Sequence, residues 1–264
     1  MRSSRPGWPP PLVEAFLFGL GIGLPPIALA AILGIVAVAA VIRGLTGFGF
    51  AILAVPLLGL VIPPAQAVLF AILLQMLIGP FGVRHALGLI DRRAVTGIAL
   101  AACVSTPIGL WLLSAISADA ARLTIAAIAL GCFSFFLIPR APTPNASALH
   151  LAATGFASGI LNGFAAMPGP PVILYFIRDT VPPAVARGSM ITIFFATATM
   201  GTLVAALRGM IDRDLIILTA VCLPLMIAGN HIGAKFFGTI PEKVWRGIVI
   251  GLLAVAAVGA VLRI

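Results

Sequence analysis

The residues best suited to chemistry lie in two Gly- and Pro-rich stretches inside very apolar surroundings. The first is R-G-L-T-G-F-G-F-A-I-L-A-V-P, Arg43 to Pro56, where Gly44, Gly47 and Gly49 fall within six residues. The second is S-G-I-L-N-G-F-A-A-M-P-G-P-P, Ser158 to Pro171. Gly inside a helix costs about 1 kcal/mol relative to Ala, so a continuous membrane helix gains nothing from such clusters. A broken helix does gain: unwinding frees N–H and C=O groups to face a solute, and the second half-helix points the positive end of its dipole at the gap. The chemistry this predicts is anion binding. Gly47 and Gly49 let the backbone come close, Phe48 lies between them, Thr46 adds a hydroxyl and Arg43 a charge. In the second stretch Asn162, Gly163, Pro168 and Gly169 take the corresponding part. Close helix packing is the competing use of small residues in a bilayer. It competes most strongly for Gly44 and Gly159, less for the clusters, since prolines flanking Gly169 serve packing poorly.

Three further polar residues stand deep in apolar runs. Gln75 must face protein or a cavity there. Asn230 and His231 share one run, and His231 reads either as a proton relay or as a satisfied interhelical donor. Arg43 has two readings as well. Counted from Ile27 it lies about 24 Å along its helix, so it either snorkels to the near headgroups or turns inward to the glycines.

The elements that must hold these residues are membrane helices. Of the 264 residues 61% are hydrophobic and 9% charged, and the mean hydropathy is +1.21; a soluble domain carries about 25% charged residues. Charge-free runs cover 44–83, 94–118, 123–139, 188–207, 215–234 and 247–262. Each is near or beyond the roughly 17 residues that cross a bilayer. The class is an all-α polytopic membrane protein. A β-barrel would alternate instead. The basic residues are scattered through loops, where they set topology rather than bind nucleic acid. Cys103, Cys132 and Cys222 stand alone and suggest neither a disulfide framework nor a metal site. No HExxH, GxSxG or phosphate-loop motif is present, so an enzyme or an autonomous ATP-driven pump is not indicated, and no cofactor is expected.

The chain repeats itself. Gly44 aligns with Gly159, Pro56 with Pro171, Pro63-Pro64-Ala65 with Pro182-Pro183-Ala184, and Asp91-Arg92 with Asp212-Arg213. Gly109 aligns with Gly233, and Thr106 with Asn230. In this alignment Arg43 falls on Ser158. The divisions are a tail with an interfacial helix or first span, 1–26, a first repeat, 27–140, a linker, 141–147, and a second repeat, 148–264. Each repeat reads as five helical segments: 27–42, 45–61, 65–84, 94–113 and 121–138, then 148–162, 167–178, 184–206, 215–236 and 244–262. Lys and Arg counts make the loops 84–93 and 235–246 cytoplasmic. That inverts the second half relative to the first.

The doubled order of Gly-rich segment, proline, P-P-A loop and helix resembles the sulfite exporter TauE/SafE family over nearly the whole chain after about residue 27. The resemblance implies a multi-pass secondary transporter in a bacterial cytoplasmic membrane, moving sulfite, sulfonates or other small sulfur-containing or organic anions. It leaves open a homodimer. Where that family typically shows a run of glycines in the second half, this chain has Asn162 to Pro171, and the extra prolines are expected to reshape that side of the site. A small-anion channel, or a membrane subunit of a larger complex, is the alternative. Inverted repeats would bring 44–50 and 162–171 together near the midplane with the anion between them. Gly47→Val and Gly163→Val are then each expected to block binding without unfolding the protein.

Overall fold

The computed structural model describes residues 24–86, 88–136, 147–178 and 181–236, with Gly251, Val258, Gly259, Val261 and Leu262. The expected tail, most of the linker and the tenth segment, 244–262, lie outside or almost outside the described residues. Those described form nine helices and no strand: α1 (Pro26–Thr46), α2 (Phe50–Leu58), α3 (Pro64–Ala86), α4 (Arg92–Ala115), α5 (Ala118–Phe136), α6 (Ala148–Ala165), α7 (Gly169–Arg178), α8 (Pro183–Leu207) and α9 (Arg213–Lys235). Five of them, α1, α3, α4, α8 and α9, are long and apolar enough to cross a membrane. The nine fall where the expected segments lie, each within five residues at its ends.

Local chemistry accounts for the boundaries. Pro at the first turn opens α1 and α8, where a missing N–H costs nothing. Asp91 and Asp212 cap α4 and α9 by accepting from the N–H of Ala94 at 3.0 Å and of Leu215 at 2.8 Å. Ser147 caps α6 through the His150 N–H. Both breaks end the same way. α1 stops at Gly47 in the left-handed region, φ 82°, whose N–H bonds the Arg43 carbonyl; α6 stops at Ala166, φ 58°, whose N–H bonds the Asn162 carbonyl.

Two crossings hold the breaks in place. Along α1 and α9, which run parallel, Gly44 lies on Gly233; a Cβ on Gly44 would meet the Asn230 carbonyl, and one on Gly233 the Val41 carbonyl. Along α4 and α6, also parallel, Gly163 lies on Gly109; a Cβ there would meet the carbonyls of Thr106 and Ile160. Backbones this close need glycine at the contact, as at other small-residue crossings in bilayers. α3 and α8 cross antiparallel, Ile72 against Gly201 and Gly82 against Ile191. The contacts of the two crossings are the same contacts. What Gly44 meets on Asn230, Gly233 and Ala234, Gly163 meets on Thr106, Gly109 and Leu110.

The structural register at the breaks therefore differs from the sequence alignment. Gly44 corresponds to Gly163, not Gly159, and Arg43 to Asn162, not Ser158. Gly159 packs one turn earlier, over Ala102 and Ser105. Small residues recur every turn in these helices, so an alignment one turn out matches nearly as many of them.

The loop 88–91 lies against the start of α8, where the Asp91 N–H bonds the Ser189 hydroxyl at 2.8 Å. The ends of α3 and α9 border one cavity through Ala86 and Ala234. Arg84 and Lys235 thus leave the helices at one end of the molecule. Cysteines placed at these two positions are expected to react with an impermeant thiol reagent from the same face of sealed vesicles. Labelling from opposite faces would refute the arrangement.

Candidate functional site

The two breaks meet. A small cavity of about 20 Å³ is lined by Gly47 to Ile52 from the first half and by Ala166 to Gly169 from the second, with Arg43, Gln75 and Phe194 around it. Gln75, halfway along α3, donates from Nε2 to the Ala166 carbonyl at 3.2 Å and so ties α3 to the second break. A far larger cavity, about 710 Å³, lies beside it between the ends of α1, α3 and α9 and the start of α8. Asn230, His231 and Arg187 line the large cavity. Arg43 and Gly47 line both. The first cavity has room for about one water. The second admits a solute as far as Arg43.

The electrostatics favour a negative charge at that junction. Among the described residues no acidic side chain lines either cavity. The Arg43 Nη1 is buried and has no hydrogen-bond partner among the described residues. A guanidinium held inside a membrane helix costs about 2.5–3.5 kcal/mol on insertion scales and normally pairs with an anion or carbonyl. α2 begins at Phe50 behind Gly49, φ 92°, with no side-chain cap. The N–H groups of Phe50, Ala51 and Ile52 have no acceptor inside the helix, and all three residues line the small cavity. α7 opens with Gly169-Pro170-Pro171, whose prolines offer no N–H. The backbone donors are therefore concentrated on the first half.

The expected site residues divide by what they touch. Arg43, Gly47, Phe48, Gly49, Gln75, Pro168 and Gly169 line the small cavity, and Asn230 and His231 the large one. Thr46, Asn162 and Gly163 line neither. The Thr46 hydroxyl lies 2.9 Å from the Ile42 carbonyl and 2.5 Å from that of Phe48, so it braces the turn. Ser158 braces the second break by donating to the Pro168 carbonyl at 2.7 Å. Asn162 is fully buried behind that break and donates to the Thr197 carbonyl at 2.9 Å. Gly163 is the crossing contact of α6 with α4, so Gly163→Val strikes backbone before it reaches any cavity. The sequence reading missed Arg187 and Phe194. Arg187 brings its Nε within 3.2 Å of where a Gly47 Cβ would stand. It stands just before the charge-free run 188–207, and no motif or spacing in the sequence ties it to either break.

A family model described as Sulfite exporter TauE/SafE matches residues 31–260. The chain belongs to the sulfite exporter TauE/SafE family. It is a membrane protein of a family of exporters, not of enzymes. One relative, "Probable sulfite/organosulfonate exporter TauE" of Cupriavidus necator, is 27% identical over 240 residues, spanning 87% of this chain and 91% of its own length. No solved structure matches the chain. The match covers both breaks and every helix named above except the start of α1, so all the described residues around the two cavities lie inside the TauE/SafE region.

Proposed function

We propose that this TauE/SafE protein is a secondary transporter of small sulfur-containing oxyanions, sulfite or sulfonates, across the cytoplasmic membrane, and that it binds them at the junction of the two cavities. One observation carries the reading: Arg43, whose buried Nη1 has no hydrogen-bond partner among the described residues, stands where both cavities meet, with no carboxylate of the described residues in either lining. The anion enters the large cavity, pairs with Arg43 and reaches the free N–H groups at the start of α2. Gly47 lets it pass between backbone and guanidinium. The small cavity holds about 20 Å³, so the two breaks must part as the anion settles.

We infer also that the halves are inverted repeats about an axis in the membrane plane. The antiparallel crossing of the equivalent helices α3 and α8, and the paired glycine contacts of α1–α9 and α6–α4, support this. Such repeats place a transporter's site between them and allow it to face either side in turn. The relative's printed name supports the substrate class.

The test is binding and flux with the purified protein. Sulfite, thiosulfate, sulfoacetate and taurine are compared by thermal shift, and the anion that stabilises is then followed in proteoliposomes. Saturable uptake with counterflow is the expected result. Flux without saturation or counterflow would make the protein a channel, and no stabilisation by any of the four would remove the substrate class.

A further inference from the structure

The two halves contain the same polar arrangement in two different states. In the second half it is closed. Asn162, fully buried, donates from Nδ2 to the Thr197 carbonyl at 2.9 Å and lies 3.5 Å from the Thr106 hydroxyl. This triad joins α6, α8 and α4. Its counterparts follow from the packing. Gly44 and Gly163 make the same contacts, so Arg43 stands for Asn162, and Asn230 for Thr106. Ile72 meets Gly201 as Ile191 meets Gly82, which sets Ile78 opposite Thr197. The counterpart triad is therefore Arg43, Ile78 and Asn230. All three line the large cavity.

The closed triad fills the space that its counterpart leaves empty. A Cβ on Gly201 would lie 3.3 Å from the Asn162 Nδ2, whereas a Cβ on Gly82 would meet only Ile191 within 4 Å. The orphan atoms fit the same picture. The Arg43 Nη1 is a buried donor without an acceptor, and the Asn162 Oδ1 a buried acceptor without a donor. Each is satisfied only partly in the present state, which is how a two-state element differs from a fully paired core network.

We infer that Asn162, Thr197 and Thr106 form the gate that seals this protein on the face opposite the large cavity, and that Arg43, Ile78 and Asn230 form its partner gate, here open. Closing the Arg43 gate brings the Arg43 guanidinium to the Ile78 carbonyl and the Asn230 side chain and shuts the large cavity. Opening the Asn162 gate frees Asn162 from Thr197 and creates the matching cavity around Ile72 and Gly201. Arg43 thus has two alternative partners, the transported anion and the Ile78 carbonyl. This inference rests on the transporter reading and on the inverted repeat.

The experiment reads accessibility without substrate, so its outcome is separate from that of the sulfite binding test. Ile191, on the large cavity, and Ile72, fully buried at the equivalent place, are each replaced by cysteine in full-length protein with Cys103, Cys132 and Cys222 changed to Ala. With the gate intact, an impermeant maleimide should label Ile191→Cys from the cavity face and leave Ile72→Cys protected. Adding Asn162→Ala should raise labelling of Ile72→Cys from the opposite face by about tenfold, and slow that of Ile191→Cys, because lost hydrogen bonds on one side shift the population of the two states. Thr106→Val, which keeps the side-chain volume, should act in the same direction and decides the matter if Asn162→Ala fails to accumulate. Continued protection of Ile72→Cys in the folded variants would overturn the gate. So would labelling of Ile72→Cys from the same face as Ile191→Cys.

Discussion

Replacing Arg43 by Ala is expected to abolish the thermal stabilisation by sulfite and the uptake of the anion, while the apo protein melts at the same temperature or higher. The two halves of this result have one cause. The Nη1 of Arg43 is buried with no partner among the described residues. Removing it takes an uncompensated charge out of an apolar setting, which does not weaken the empty protein. The anion loses the charged donor that lines both cavities. Hydrogen bonds to charged groups contribute about 1.5–3 kcal/mol, so affinity should fall roughly ten- to hundredfold from this loss alone. Arg43→Lys should recover little, because an ammonium lacks the planar fork that holds two oxygens at once. A variant that melts lower and still responds to sulfite would show that Arg43 serves the fold, and the site would have to be sought around Arg187 and His231.

Gly163→Val and Gly109→Val are expected to lose most of the folded protein, whereas Gly47→Val keeps the fold and loses binding. At the α4–α6 crossing the nearest atoms to an added Cβ are backbone: the Thr106 carbonyl for Gly163 and the Ile160 carbonyl for Gly109. Backbone cannot turn aside as a side chain can. Overpacking in a well-filled core costs about 1–3 kcal/mol, and a crossing that must separate along several turns lies at or beyond the upper end. Gly47 differs. Its φ of 82° makes any side chain strained by about 1–2 kcal/mol, but the nearest atom is the Nε of Arg187, on a flexible side chain at 3.2 Å. The second half already carries Ala166 in the same conformation. Gly34→Ala and Gly131→Ala serve as controls, since nothing lies within 4 Å of either Cβ and helix propensity favours Ala. Monodisperse yield and melting temperature in detergent would separate the three groups. Equal loss in Gly47→Val and Gly163→Val would mean that the break is a folding element rather than a binding surface.

The class, the helices and the existence of two matched breaks were legible in the order of the amino acids. Long charge-free runs admit no other setting than a bilayer. Pro63-Pro64, Pro182-Pro183, Asp91 and Asp212 act on their own first turns, so the starts of α3, α8, α4 and α9 needed no tertiary information. Gly47 and Gly49 marked the first break because left-handed backbone is a local property. The match of Asn230 with Thr106 also held, since Gly109 and Gly233 anchor it nearby.

Which face of each helix looks inward, and which small residue touches which, came from the packing of the helices. In a membrane helix lipid-facing and protein-facing positions are both apolar, so periodicity does not separate them. Glycine also has two uses, close packing and free backbone, and composition does not tell them apart. Gly44 and Gly163 turned out to be crossing contacts, while Gly47 and Gly49, a few residues on, line a cavity. The one-turn shift that pairs Arg43 with Asn162 had the same origin. Arg187 and Phe194 were missed for a related reason: they reach the breaks from α8, whose approach to α1 and α2 depends on how the two halves dock and on nothing within α8 itself.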